Sequence, residues 1–327
     1  MNTRYRKFWS AFTCVLCIAA PAAAQTASSS YPSRPITLVV GFTPGGISDV
    51  MARALAARLT LQMGQSVIVD NKPGAATTIA AAYVAGAAPD GYTLLFQDMV
   101  SHAINAAAYK HLRYDSWNDF SLVSLVASTP LMLISSVSSG VKDVKGLVAL
   151  AKAKPDQIAY ASSGTGAITH LAGESFKKLT GTQAVHAPYK GGAPATTAVI
   201  SGEVAYTFAT MPPAISQMKA GKVNALAVTS PGRVSAAPDV PTLKEAGVPL
   251  ELVIYLGVIG PKGLPAPIVD RLGAEIRKAL ASPEMKTTLF NAAAEPYPST
   301  PAEFAALMKV EAPKVTEAVR LAGVAFE

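Results

Sequence analysis

The chain has 327 residues, 28 Lys and Arg against 21 Asp and Glu, and a formal net charge of +7. Half of its residues are hydrophobic and 15% are charged, against about 25% charged in an average globular domain, which excludes an intrinsically disordered chain. Two cysteines exclude a small disulfide-stapled scaffold, and the length suits two domains, each burying its own core.

The first 24 residues read as a secretory signal peptide. Arg4, Arg6 and Lys7 make a positive start, Phe8 to Ala20 is apolar and uncharged, Pro21 breaks the run, and Ala22-Ala23-Ala24 offers a cleavage site before Gln25. The apolar run falls short of the roughly 20 residues that span a bilayer, and neither Cys14 nor Cys17 has the setting of a lipoprotein signal. Both cysteines lie inside this segment, so the exported chain is expected to have no disulfide, no thiol nucleophile and no Cys-ligated metal. Three basic and no acidic residues leave with it, taking the net charge from +7 to +4. No Lys/Arg cluster with interleaved aromatics is present, so nucleic acid is not an expected partner, and a mild positive field suits a small anion.

After the linker Thr26 to Ser30, the β-branched run Ile36-Thr37-Leu38-Val39-Val40 predicts a buried strand. Thr43-Pro44-Gly45-Gly46-Ile47 punctuates it, and Ser48 and Asp49 open a helix whose apolar face is Met51, Leu55 and Leu59, ended by Gly64. A strand at Val67 to Val69, an alanine-rich helix from Thr77 to Ala87, a turn at Pro89-Asp90-Gly91 and a strand from Tyr92 to Phe96 follow. Strands alternating with helices predict a parallel sheet covered by helices.

The pattern then repeats. Strands are expected at Leu131 to Ser135, Ile158 to Tyr160, Val185, Val204 to Phe208 and Ala225 to Val228. Between them fall helices at Val144 to Lys154, Ile168 to Leu179, Gly192 to Ser201 and Met211 to Ala220. Val253 to Ile259 is a last apolar strand before a helical tail, Pro265 to Ala281, Pro283 to Ala293 and Pro301 onward, with Pro313 expected to break or kink the final piece. Two α/β halves repeat in pattern rather than in sequence, and a cleft between them is the expected place for a small-molecule site.

Two loops share one physical design, a glycine-rich turn between a buried strand and a helix start: Thr43 to Asp49, and Ser162-Ser163-Gly164-Thr165-Gly166-Ala167. Free N–H groups and partial positive charge at helix starts favour carboxylate or phosphate, and the hydroxyls of Thr43, Ser48, Ser162, Ser163 and Thr165 add donors. Ligands of open α/β sheets bind at the carboxyl ends of strands. Neither loop is a nucleotide motif, since the third glycine after Gly164-Thr165-Gly166 and any P-loop lysine are missing. No nucleophile elbow, no nucleophile–base pair and no metal cluster stands out, so neither catalysis nor a metal or cofactor is expected. His170 is placed to brace the second loop, Asp49 to cap the first helix, and Lys190 in Ala187-Pro188-Tyr189-Lys190-Gly191-Gly192 to attract an anion. Phe42, Met99, Met211 and Tyr255 stand near strand ends expected to line the cleft, where methionine and aromatic side chains suit a flat or apolar ligand body.

These residues also carry a family resemblance. Pro44-Gly45-Gly46-x-Ser48-Asp49, Asn71-Lys72-Pro73-Gly74-Ala75, Pro89-Asp90-Gly91-Tyr92-Thr93-Leu94-Leu95 and His170-Leu171-Ala172-Gly173-Glu174 occur in order. With Pro188-Tyr189-Lys190-Gly191 and Pro238-Asp239-Val240-Pro241-Thr242, they resemble the Bug family, the periplasmic solute-binding proteins of tripartite tricarboxylate transporters. The resemblance implies a two-lobed α/β binding protein of the Venus-flytrap type, a monomer, with two crossover strands and C-terminal helices packing on the first lobe. Lobe 1 would hold residues 31–127 and 255–327, and lobe 2 residues 128–254. It implies a carboxylate gripped by Phe42, Thr43, Gly45, Gly46 and Ser48 from one side and Ser162, Ser163, Gly164 and Thr165 from the other. Membrane subunits of the transporter are the implied partners. Gly41 stands where the family often has proline and Ala76 where a second glycine is usual. Ala209-Thr210-Met211 stands where amino-acid binders often carry an aspartate. The expected ligand is therefore a dicarboxylate with an apolar middle, such as terephthalate. A secreted α/β hydrolase or a ligand-sensing input protein for a membrane receptor are the alternatives.

Overall fold

The computed structural model describes residues 31–323; the expected signal peptide lies outside them. In chain order the elements are β1 (Ile36–Val40), α1 (Ile47–Met63), β2 (Val67–Asn71), α2 (Thr78–Ala85), β3 (Thr93–Asp98), α3 (Met99–Ala108) and β4 (Phe120–Ser136). There follow α4 (Val144–Ala153), β5 (Ala159–Ser162), α5 (Ile168–Thr180), β6 (Val185–Pro188), α6 (Gly192–Ser201), β7 (Tyr206–Thr210), α7 (Met211–Lys219) and β8 (Val223–Val228). The chain ends with β9 (Val253–Pro261), α8 (Ala266–Leu280), α9 (Pro283–Asn291), β10 (Glu295–Pro296) and α10 (Pro301–Ala322).

β4 organises the molecule. Its first part, Phe120 to Pro130, runs antiparallel to β9, which pairs with β3, and β1 lies parallel between β3 and β2. Its second part pairs antiparallel with β7 and β8, and β5 lies parallel between β7 and β6. One strand of 17 residues thus belongs to both halves. Leu131, Met132, Leu133 and Ile134 are fully buried, as a strand covered on both faces requires. Pro130, which cannot donate to a ladder, sits where β4 leaves one half for the other, a boundary that tolerates it. The chain returns beside it. The Thr229 hydroxyl donates to the Leu252 carbonyl (2.6 Å) and accepts from the Leu131 amide (2.8 Å), tying the two crossing segments together.

The C-terminal helices return to the first half, α8 and α9 against α1, and α8 and α10 against β4. α10 also packs on α3 and on α5, one helix from each half. It runs unbroken through Pro313, contrary to the expected break. Pro313 lies on the exposed side, where the carbonyl left without a partner is solvated.

Candidate ligand-binding site

Four strands, β1, β3, β5 and β7, end at the junction of the halves, and each hands over to a helix that starts there. The result is a convergence of helix N-termini. Gly46 caps α1, Asp98 caps α3, Thr210 caps α7, and Ile168 and Gly192 are the first residues of α5 and α6. All five line one cavity of about 20 Å³, together with Phe42, Ser48, Ser163 and Ile254. Each terminus carries partial positive charge; Asp98 takes up the free amides of α3, and the other four termini bring N–H groups without intrahelical partners, an arrangement that favours an anion. The Thr210 hydroxyl is buried there without a hydrogen-bond partner.

A second cavity of about 170 Å³ shares Phe42 and Ser163 with the first. Its walls are the Gly74 to Thr77 turn, Gly164, Thr165, Tyr109, Tyr189 and Lys190. The halves are drawn together around these spaces. The Thr43 amide donates to the Lys190 carbonyl (3.4 Å), and the Ile168 amide donates to the Ser101 hydroxyl (3.2 Å).

The first loop is shaped from behind. Asp49, buried in the first turn of α1, accepts from the Gly45 amide (3.0 Å), from Arg53 Nε (2.9 Å) and from Asn71 Nδ2 (3.0 Å). Asn71 Nδ2 also donates to the Phe42 carbonyl (2.9 Å), so β2 and α1 together fix the backbone of residues 42–45. Burial pushes the Asp49 carboxyl up, but the bonds from Arg53, Gly45 and Asn71 outweigh it and hold it below the usual carboxylate range. The Gly45 amide is therefore engaged inside the protein rather than aimed at a ligand.

The second loop rests on two stacked histidines. The rings of His170 and His186 lie 3.9 Å apart and nearly parallel, at 12°, with Tyr160 stacked on the far face of His186. His186 Nε2 bonds the Ser162 hydroxyl (2.7 Å), which accepts from the Gly164 amide (3.2 Å). The Gly166 amide donates to His170 Nδ1 (3.2 Å), the brace expected of this residue. Accepting at Nδ1 requires that nitrogen to be unprotonated. Burial, joined by the neighbouring His170, pushes His186 down to about 4, and burial lowers His170 as well.

Of the residues expected to bind ligand, Phe42, Gly46, Ser48, Ser163, Gly164, Thr165 and Lys190 line the two cavities. Thr43, Gly45 and Ser162 stand behind the walls and hold them. Met99 and Met211 are not brought to the cavities: both are fully buried, and Met211 packs in the core of the second half beside Met132 and Ala209. A methionine that opens a helix is drawn under the sheet by its apolar surface. Tyr255 packs on Tyr297 instead. Tyr109, Tyr189, Ile254 and Asp98 are lining residues that periodicity did not single out. Asp98 had a local signal, an acidic residue directly after an apolar strand, which is a helix-cap position.

Asp98 places a carboxyl in the wall of the first cavity, although the run Ala209-Thr210-Met211 carries none. It accepts from the amides of Val100 (3.0 Å) and Ser101 (3.2 Å) and from the Ser101 hydroxyl (2.7 Å). Burial pushes it up to about 6 against those bonds. His102, fully buried with Nε2 on the Ser116 carbonyl (2.7 Å), is pushed by burial down to about 4.

These groups set a pH dependence. Unfolding frees His102 and His186 to bind protons below pH about 6.5, protons the fold refuses until about 4. Stability should therefore fall as pH drops through that window, by up to about 1.4 kcal/mol per pH unit for each group. Asp98 has the opposite sign between about 4 and 6, since the folded chain takes its proton first. Two fully shifted histidines outweigh one carboxyl, so urea unfolding at pH 5 should give a lower free energy than at pH 7. Equal or greater stability at pH 5 would contradict the placement of these rings.

A two-lobed α/β fold whose helix N-termini converge on a small cavity between the halves defines a solute-binding protein for anions. The tripartite tricarboxylate transporter receptor family model matches residues 51–322, and the chain belongs to that family. BugT of Bordetella pertussis is 36% identical over 287 residues, covering 87% of this chain and 86% of BugT. Three solved structures are also similar. Rpa4515 of R. palustris, solved with adipate, has a TM-score of 0.87 at 35% identity and covers 90% of this chain and 99% of its own. The periplasmic binding protein BugD has 0.87 at 34%, covering 91% and 100%. MatC of Rhodopseudomonas palustris, with bound malate, has 0.84 at 30%, covering 88% and 100%. The chain is a solute-binding receptor of this family and not an enzyme.

Proposed function

We propose that this protein captures an organic carboxylate in the periplasm and presents it to the membrane subunits of a tripartite transporter. In this reading the ligand is a dicarboxylate with an apolar or aromatic body, such as terephthalate. The observation that carries it is the convergence of five helix N-termini on one cavity. One ligand carboxylate takes the amides of the first turn of α1 and the unpartnered Thr210 hydroxyl. The body lies in the adjoining cavity against Phe42, Tyr109 and Tyr189, with Lys190 at its edge. The relatives solved with adipate and malate support a carboxylate. Lobe 1, residues 31–127 with 255–327, and lobe 2, residues 128–254, part to admit it and close on it.

An aromatic body is favoured over an amino acid because Asp98 already accepts three hydrogen bonds within α3, leaving little capacity for an ammonium group. Calorimetry with terephthalate, benzoate, succinate, citrate and aspartate tests this. Terephthalate should bind tightest. Gly164→Val should abolish binding, because Gly164 has φ +135 and a side chain there meets the Tyr189 carbonyl on the cavity wall. Tightest binding of aspartate or citrate, with no aromatic acid detected, would refute the ligand class; undiminished binding by the variant would refute the site.

A further inference from the structure

The inner cavity is bounded on one side by Tyr109 and Ala75. Tyr109 and Ala75 also form the inner wall of a surface groove of about 740 Å³. Alone, the inner cavity's 170 Å³ is smaller than the roughly 300–1,000 Å³ of most small-molecule sites; with the groove it falls within that range.

The groove has a consistent chemistry. Its floor is apolar, with Ile79 (52% exposed) and Tyr83 (50% exposed) from α2 turned outward rather than into the core. Exposed large apolar groups gathered in a groove mark a binding surface rather than scattered surface residues. Arg113 and His111 stand over that floor, and no Asp or Glu lines it. Among the described residues Arg113 makes no ion pair.

The sill between cavity and groove is strained. Ala75, Ala76 and Thr77 have φ of +43, +48 and +76, a left-handed run that is unfavourable for residues with side chains. It is held from below: Gln97 Nε2 donates to the Thr77 hydroxyl (2.7 Å) and Asn105 Nδ2 to the Ala76 carbonyl (2.7 Å). Gly41 leaves room for it, since a Cβ there would lie 2.5 Å from that of Thr77. Strain maintained by several surrounding groups is characteristic of ligand clamps.

We infer that the groove is an outer subsite for the distal end of an elongated dicarboxylate, the apolar chain crossing the sill onto Ile79 and Tyr83 and the second carboxylate meeting Arg113. This rests on the reading that the first carboxylate is held at the helix N-termini. Calorimetry on the exported chain would compare succinate, adipate, suberate and sebacate, each with the monoacid of equal length. The preference for diacid over monoacid should appear only in the longer pairs and reach about tenfold. Arg113→Gln should collapse that preference, and Ile79→Ser should weaken the longer acids of both kinds. A preference that is greatest for succinate, or one that survives Arg113→Gln, overturns the outer subsite while leaving the inner site standing. Binding of none of these acids while terephthalate binds overturns the outer subsite alone; binding of neither overturns both.

Discussion

Gly191→Ala should weaken carboxylate binding about 100-fold. Gly191 caps α6 with φ 144 and ψ 173, a region that is essentially glycine-only, where a side chain costs roughly 1–3 kcal/mol. The added Cβ would also run into the hydroxyl of Thr43, which belongs to the other half of the molecule. Overpacking of that kind costs about 1–3 kcal/mol more. Thr43 can swing its hydroxyl away, but its backbone amide lies 3.4 Å from the same Cβ and is tied to the Lys190 carbonyl. The strain is present with the halves apart or together, whereas the clash acts only when they meet; at the upper end, about 3 kcal/mol, the clash alone converts to about two decades in affinity. Calorimetry with terephthalate reads the loss, and small-angle scattering should show the variant less compact than its parent when both are saturated. Parental affinity in the variant would show that the Thr43–Gly191 contact does not belong to the bound state.

Gly173→Ala should destabilise the fold by about 2 kcal/mol, although alanine is the better helix former. Propensity favours the change by about 1 kcal/mol. Against it stands Tyr160, fully buried, whose ring the new methyl would penetrate, with two further ring atoms at 2.7 and 2.8 Å. That ring cannot retreat. It stacks on His186 and Tyr206, and its hydroxyl donates to Glu174 (2.6 Å), which also holds Lys177 (2.9 Å). Packing therefore outweighs propensity. Urea unfolding measures the difference, and adding Tyr160→Leu to Gly173→Ala should recover part of it by making room. A variant as stable as its parent would mean that α5 and β5 approach less closely than they do here.

Both predictions turn on features that local pattern reading reaches unevenly. The strand-and-helix alternation, the two glycine-rich loops and the C-terminal helices were legible because each element buries one face and ends on a marked residue. α3 was not legible, since Ser101, His102 and Asn105 lie buried inside it and interrupt its apolar stripe. The first part of β4 was masked by Ser121, Ser124, Ser128 and Thr129, polar residues placed by tertiary contacts: Ser124, for example, donates to the Ser299 carbonyl (2.9 Å), 175 residues away. The anion site was half read. Two helix starts were visible as glycine-rich turns, but the convergence of five depends on sheet order. Gly45 and Ser162 looked like ligand donors because sequence shows which groups can donate, whereas Asp49 and His186, which take those bonds, arrive through the fold.

The position of α10 has a practical corollary. It leans on α3 and α5 together, and those helices start at the Ser101–Ile168 bond that joins the halves. The C-terminal segment is thus a splint laid across the junction of the halves, and its outer face, where Val310 is exposed, is the natural mounting point for a reporter dye. Affinity tags and fusion partners are better attached away from the C-terminus, where they add no load to the splint.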